Sequence, residues 1–482
     1  MSGSTRLLIG GHWADASDGG TRETRDPATG AVIGSAAEAT RADVDDAVRA
    51  AREAFRSPAW RDLTPDARGR LLWRVAELIE RDADELAALE VLDSGQPIGM
   101  ARDVNVPLGA QVFRYYAGYA TKLEGKTTQV SIRGQLTYTL REPIGIAALI
   151  TPWNVPFAIA AWKLAPALAT GNVAILKPAE QTPLSTVKLA ELCEEAGIPP
   201  GVVSLLTGGP EVGRALVAHA GVGKVSFTGS TEVGQEIVRS SAGNLKRVSL
   251  ELGGKAPSIV AADADIDAAV QGNLQGAAFN SGQACGAYTR FYVHESRLAE
   301  FSEKIAAAAE KLVIGPGSDP ATVLGPLISE EQLDKVHSAV QAAVDGGAIL
   351  LTGGARADGD LASGCFYRPT VLTGVRDDMA VAREELFGPV IPIFSFRDLD
   401  EAIERANDSA YGLASVVWTN DLRTAHRVAA EVQAGTVFVN QLPLIDPAAP
   451  WGGIGLSGWG REMGSYSIDA FTETKSVFVN LT

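Results

Sequence analysis

The chain has 482 residues, 46% of them hydrophobic, and a net charge of −16. That length is too great for one ordinary core and predicts a globular protein of two or three domains. The acidity repels phosphate backbones and anionic lipid, no apolar run reaches the ~18 residues of a membrane span, and MSGSTRLLIGGHW has no signal core, so neither nucleic acid nor a membrane is an expected partner.

LLIGGHW reads as a hairpin turning at Gly10-Gly11. Residues 43–56 and 65–92 carry helical periodicity, the second with Thr64 as cap and Pro65 in its first position; Gly95 and Pro97 then break the chain. TTQVSIRGQLTYTLRE at 127–142 alternates like an exposed ribbon. From about residue 144, the short apolar runs IGIAALI, NVAIL, VVSLL and KVSFT alternate with helical stretches such as PLSTVKLAELCEEAG and PEVGRALVAHA. That texture predicts a parallel sheet covered by helices on both faces. A second α/β block starts at Glu251, with strands at PSIV, RFYVHE, AILLT, VIPIFSF, ASVVW and TVFVN and helices near 266–278, 296–312, 329–345 and 400–407. FTETKSVFVNL at 471–481 reads as a terminal strand; like the 127–142 ribbon, it is an edge that needs a partner.

Three cysteines without regular spacing argue against a disulfide framework and fit a reducing cytoplasm. The five histidines lie far apart with no ligand spacing, so no metal site is expected. Cys285 stands in FNSGQACGAYTR, where Gly282, Ala284 and Gly286 let a substrate approach the sulfur closely. Cys193, on an amphipathic helix, and Cys365, in a loop, read as small structural hydrophobes. Glu251 interrupts the apolar run VSLEL, where a carboxylate has to be paired, hydrated or functional. A thiolate can attack an electrophilic carbon, and a carboxylate can activate the water that later releases the acyl group. Asn154 follows a strand end in LITPWN, and its amide can donate to an oxyanion without titrating. The GxGxxG at Gly453, Gly455 and Gly458 follows a proline-rich loop and is no Rossmann turn; GSTEVGQE has Gln235-Glu236 where a phosphate loop needs Lys-Ser/Thr, which rejects ATP.

TPWN at 151–154, ILKPAE at 175–180, SFTGSTEVG at 226–234, the Glu251 and Cys285 motifs and EELFGPV at 384–390 run in an order that closely resembles the aldehyde dehydrogenase superfamily, from about Trp13 to the C-terminus. The resemblance implies an α/β fold of two domains with parallel open sheets plus a small β oligomerisation arm. Its NAD-binding domain would span 1–122 and 143–250, the catalytic domain 251–450, and the arm 123–142 and 463–482. It implies oxidation of an aldehyde to the acid through a thiohemiacetal and a thioester on Cys285, with Glu251 as base for hydrolysis. Asn154 and the backbone N–H of Cys285 would hold the oxyanion, and Lys163 and Glu462 match the positions of a proton relay.

The same resemblance places NAD against Thr151, Pro152, Trp153 and Asn154, against Lys177 and Glu180, and against Gly209 and Gly213 near the adenosine. Phe227, Thr228, Gly229, Ser230 and Val233 follow, where the helix start at Ser230 favours a pyrophosphate. Glu251, Leu252, Gly253 and Cys285, with Glu385 and Phe387 at the nicotinamide ribose, complete the set. The positive nicotinamide would help stabilise the thiolate. Glu180 can accept from the adenine-ribose hydroxyls and would repel a 2′-phosphate, so NAD is favoured over NADP.

The positions matching the family's substrate tunnel are Leu108, Val155, Ile159, Trp162, Phe279, Leu444, Ile445 and Trp451. This apolar, partly aromatic lining predicts an uncharged aldehyde, aromatic or medium-chain. A betaine or aminoaldehyde is the alternative: it would want several aromatics around its charge. Val155 stands where such enzymes often carry an aromatic and counts against that alternative, whereas Trp451 counts for it. Transfer of the acyl group to coenzyme A and a non-catalytic, crystallin-like role are further alternatives. The first is opposed by Glu251, which acylating members usually lack, and the second by the complete set of Cys285, Glu251 and Asn154. A homo-oligomer, dimer or tetramer, is expected.

Overall fold

Eight strands form the sheet of the first half, in the order Gly458–Trp459, Arg247–Glu251, Lys224–Thr228, Ile146–Ile150, Val173–Lys177, Val203–Leu205, Leu7–Ile9, His12–Ala14. They are seen in a computed structural model that describes residues 4–482. The five central strands run parallel, and the edges are antiparallel. Their apolar runs are buried along their length, as a sheet sandwiched between helices requires. The chain winds outward in one direction from Ile146–Ile150 through Val173–Lys177, then returns to place Lys224–Thr228 on the other side. Strand order therefore reverses between the carboxyl ends Ile150 and Thr228, and a crevice opens there.

The second half holds seven strands, in the order Ile349–Thr352, Thr370–Thr373, Val390–Phe396, Tyr288–His294, Ala256–Val260, Ala414–Trp418, Thr436–Val439. All pairs are parallel except the first. A third element joins distant chain: Thr472–Asn480 pairs antiparallel along all of Gln135–Pro143, which also holds Thr127–Thr128. The two sequence stretches that lacked partners are thus partners of each other. A small sheet of Ser4–Thr5, Val32–Ala37 and Thr21–Arg25 was not foreseen.

The hairpin at Gly10-Gly11 is present, and Thr64 caps the helix Pro65–Arg81 through its side chain. That helix does not run on to residue 92. It stops at Asp82, whose φ of −99° and ψ of 21° leave the helical range, and a second helix, Ala83–Ser94, follows. No glycine or proline marks the break in the sequence, and Arg81 and Lys188 hold the Asp82 carboxylate at the joint. Gly95 ends the second helix at φ 73°. The helix Pro156–Ala169 went unread for a different reason: every one of its residues is buried, so it has no polar stripe to reveal its period.

Candidate active site

Cys285 sits at the end of a loop that follows the helix Ile266–Ala278. Asn280 and Ser281 adopt left-handed φ values of 48° and 57°, and Gly282 follows at 78°. For residues with side chains this conformation costs on the order of 1 kcal/mol or more each, so the surroundings have to impose it. They do so through hydrogen bonds from several directions. Asn280 Nδ2 donates to the Asn154 carbonyl at 2.7 Å, Ser281 Oγ to Gly325 O at 2.8 Å, and Ile328 N–H to Gln283 Oε1 at 2.9 Å. Asn154 Nδ2 in turn donates to Gln283 O at 2.8 Å. The loop bearing the sulfur and the strand end bearing Asn154 are therefore one clamped unit.

Glu251 ends its strand only 2% exposed, with both carboxylate oxygens free of protein partners. Burial, and then the charge of Glu462, push its pKa well above the usual carboxylate range. The Cys285 thiol, only partly exposed, is pushed up to about 12 by loss of solvent and then by the charges of Glu385 and Glu251. Behind Glu251, Lys163 Nζ bonds Glu462 Oε1, and both belong to buried side chains.

Two glycines explain how closely the halves meet. A methyl group on Gly253 would collide with Glu385 Oε2, and one on Gly254 with the Cys285 carbonyl. Glu385 instead accepts from the Gly254 N–H at 2.8 Å, and burial raises it to about 7. Phe387, itself at φ 59°, stacks edge-on against Trp153 at 5.3 Å between ring centroids.

Three cavities line up along this junction. One of about 290 Å³ lies in the crevice of the first sheet, walled by Thr151, Pro152, Trp153, Lys177, Glu180, Gly213, Phe227, Thr228, Gly229, Ser230 and Val233. The next, about 210 Å³, shares Pro152, Trp153, Thr228, Gly229 and Ser230 with it and adds Asn154, Leu252, Gly253, Cys285, Glu385 and Phe387. The third, about 320 Å³, opens on the far side of the sulfur. Asn154 and Cys285 stand in the walls of both the second and the third.

All eight tunnel residues named from the sequence, Leu108, Val155, Ile159, Trp162, Phe279, Leu444, Ile445 and Trp451, line the third cavity. Gly209 stands outside these cavity walls, where its N–H donates to Glu38 Oε1 at 2.9 Å and Pro210 occupies the wall instead. Sequence reasoning missed Arg214 and Glu236, paired at 2.7 Å beside the first cavity, Gln332 and Lys335 in the second, and Asp103, Asn105 and Gln111 in the third. Polar residues on helical faces look solvated in a sequence, and no local signal separates these from their neighbours. Asp103 and Asn105 lie on a π-helical turn, Ala101–Asn105, leading into the helix Val106–Tyr119. The Gly453–Gly458 stretch is a short 3₁₀ turn leading into the two-residue edge strand Gly458–Trp459, with no helix after it.

A thiol and an amide donor thus stand where the second and third cavities join, while the buried Glu251 carboxylate, expected from the sequence to line the cofactor site, acts on the thiol from outside all three cavity walls. The family model for the aldehyde dehydrogenase family matches residues 13–477. The mitochondrial aldehyde dehydrogenase of Sus scrofa is 47% identical over 481 residues, covering 99% of this chain and 91% of that protein. Retinal dehydrogenase 2 of Homo sapiens is 44% identical, covering 99% and 92%. The structure of the NAD+ complex of an aldehyde dehydrogenase from Bacillus cereus superposes with a TM-score of 0.97 at 44% identity, over 99% of this chain and 97% of that one. The chain belongs to the aldehyde dehydrogenase family.

Proposed function

We propose that the protein oxidises an uncharged aldehyde, aromatic or medium-chain, to its carboxylic acid with NAD, through an acyl thioester on Cys285. The observation that carries this reading is the position of Cys285 and Asn154 in the walls of two cavities of different character. A substrate held on the sulfur from one side faces whatever fills the other.

The residues of the crevice fit a dinucleotide. Ser230 caps the helix Thr231–Ser241 and lines the crevice with Val233, so a helix start that suits a pyrophosphate borders the cavity. Thr151 Oγ1 and Thr228 Oγ1 are buried there without protein partners. Lys177 and Glu180, 3.6 Å apart, offer a donor and an acceptor to ribose hydroxyls, and the carboxylate disfavours a 2′-phosphate. Glu385, in the wall of the second cavity, offers an acceptor to the second ribose. NAD, when bound, supplies the hydride acceptor.

A thiol raised to about 12 is protonated at neutral pH, so attack on the aldehyde requires a group to take its proton. Glu251, close enough for its charge to raise that thiol and itself unusually basic, suits this task. The thiohemiacetal oxygen is held by the Asn154 amide and the Cys285 N–H. After hydride loss, Glu251 takes a proton from water attacking the thioester, with Lys163 and Glu462 relaying it onward. The aldehyde side is walled by Phe279, Trp162, Trp451 and aliphatic neighbours, which supports an uncharged substrate.

The paired strands Gln135–Pro143 and Thr472–Asn480 expose Leu136, Leu140 and Phe478, at 40%, 42% and 58%, which supports a homo-oligomer assembled through them, dimer or tetramer. Three free thiols, at Cys193, Cys285 and Cys365, support a reducing compartment such as the cytoplasm. The test is kcat/KM with NAD across benzaldehyde, hexanal and betaine aldehyde, together with mass analysis of protein quenched during turnover. An acyl adduct on Cys285 and preference for the uncharged aldehydes are expected. No adduct, or strong preference for the cation, would overturn the reading.

A further inference from the structure

Ser226 belongs to a motif read for its neighbours, and its own hydroxyl went unassigned. It occupies the middle of the strand Lys224–Thr228, 1% exposed, opposite Ser249, which lies two residues before Glu251 on the adjacent strand. From there it touches two charged side chains at once. Its hydroxyl accepts from Lys163 Nζ at 3.0 Å and donates to Glu462 Oε1 at 2.7 Å. Lys163 bonds that same carboxylate oxygen directly.

The consequence is an asymmetric carboxylate. Glu462 Oε1 takes a cation and a hydroxyl, while Oε2 is buried without a protein partner. Both Glu251 oxygens are likewise unpartnered, and among neighbouring charges Glu462 acts most strongly on Glu251. A glutamate tied by lysine alone keeps rotational freedom about its terminal bonds. Donation by a second group anchored on a sheet strand removes it, and charge-assisted bonds of this kind are strong.

We propose that Ser226 is a positioning residue for thioester hydrolysis: it orients Glu462 between Lys163 and Glu251, so that Glu462 receives the proton that Glu251 takes from the attacking water. This rests on the assignment of Glu251 as the hydrolytic base. In the step, the water oxygen bonds to the acyl carbon and the electron pair of the breaking C–S bond returns to the Cys285 sulfur. One water proton passes to Glu251 and on to Glu462; the other leaves with the carboxylic acid. Ser226 acts through Glu462 and Lys163, the two side chains its hydroxyl bonds, and touches no reacting atom.

Rapid-mixing kinetics of Ser226→Ala and Ser226→Thr separate this role from a structural one. Formation of the first equivalent of NADH, which reports acylation, keeps its rate in Ser226→Ala. Steady-state turnover falls about 10-fold, the order expected for losing one hydrogen bond to a charged group. Ser226→Thr, which keeps the hydroxyl, restores turnover. If the alanine variant does not fold, Ser226→Cys, which keeps the volume and loses the strong donor, is measured in the same way. Unchanged turnover in the hydroxyl-free variant, or a first turnover slowed in the same proportion, overturns the proposal. A wild-type protein that forms no acyl-enzyme fails at the earlier step, and so overturns the cysteine reading instead.

Discussion

The two sides of Cys285 are built differently. The cofactor side is made mainly of strand ends and a helix start at the place where the sheet order reverses, with Thr151–Trp153 following the strand end Ile150 and Gly229-Ser230 following the neighbouring strand end Thr228. The aldehyde side is made of helix flanks and loops, with Leu108 on Val106–Tyr119, Ile159 and Trp162 on Pro156–Ala169, and Leu444, Ile445 and Trp451 in loops. Groups at the ends of paired central strands are placed by the backbone hydrogen bonds of the sheet. Side chains on the aldehyde side are set by packing: Ile159, Trp162 and Trp451 are buried in the core, whereas Leu108, Val155, Leu444 and Ile445 are more exposed. The difference teaches that the common chemistry and the choice of substrate are carried by separable parts.

The strongest way to break that comparison is at the atom both sides share. Cys285→Ser is expected to abolish aldehyde-dependent NADH formation while NAD binding, followed by titration calorimetry, persists. Loss of both would show the two sides to be inseparable. Asn154→Ala is expected to lower kcat by about 10²–10³-fold. Because Asn154 also bonds Gln283 O, thermal unfolding of the same variant shows how much of the loss comes from a loosened loop. Phe279→Ala, on the aldehyde wall alone, is expected to change the kcat/KM ratio between an aromatic and a short aliphatic aldehyde by about 10–200-fold, with little effect on the KM for NAD. A parallel change in NAD affinity would contradict the division of labour.

The smallest effect concerns pH and the cofactor side. Glu385 is raised from 4.5 to about 7 in the folded protein, so the folded state binds this proton more tightly than the unfolded chain. The stability it contributes is complete below about 4.5 and is lost as pH rises through about 7. Glu385→Gln is expected to flatten the fall of the melting temperature across that window in protein without cofactor, as measured by calorimetry.

Much of this was legible in the chain. Glu251 and Cys285 lie in short stretches whose oddity is local: a charge inside an apolar run, and a thiol among glycines and alanine. The alternating blocks were legible because a buried parallel strand and an amphipathic helix each announce themselves within about ten residues. What failed had equally physical causes. Pro156–Ala169 is buried on all sides and shows no period, and no glycine or proline marks the break at Asp82. Arg214, Gln332 and Lys335 sit on helices and look solvated until the crevice forms beside them. Gly209 was placed by its neighbours, yet Glu38, 171 positions away, holds its N–H.

The sequence by itself determined the candidate reacting groups and the layered α/β frame, since both depend on residue types and spacings within single segments. Only the tertiary structure decided that Asn154 and Cys285 would stand between two cavities, that solvent loss and two carboxylates would lift the thiol to about 12, and that Ser226 would bridge Lys163 and Glu462. These depend on burial and on contacts such as Gly254 with Glu385, 131 positions apart. Such contacts exist only once distant segments have closed on one another and excluded water.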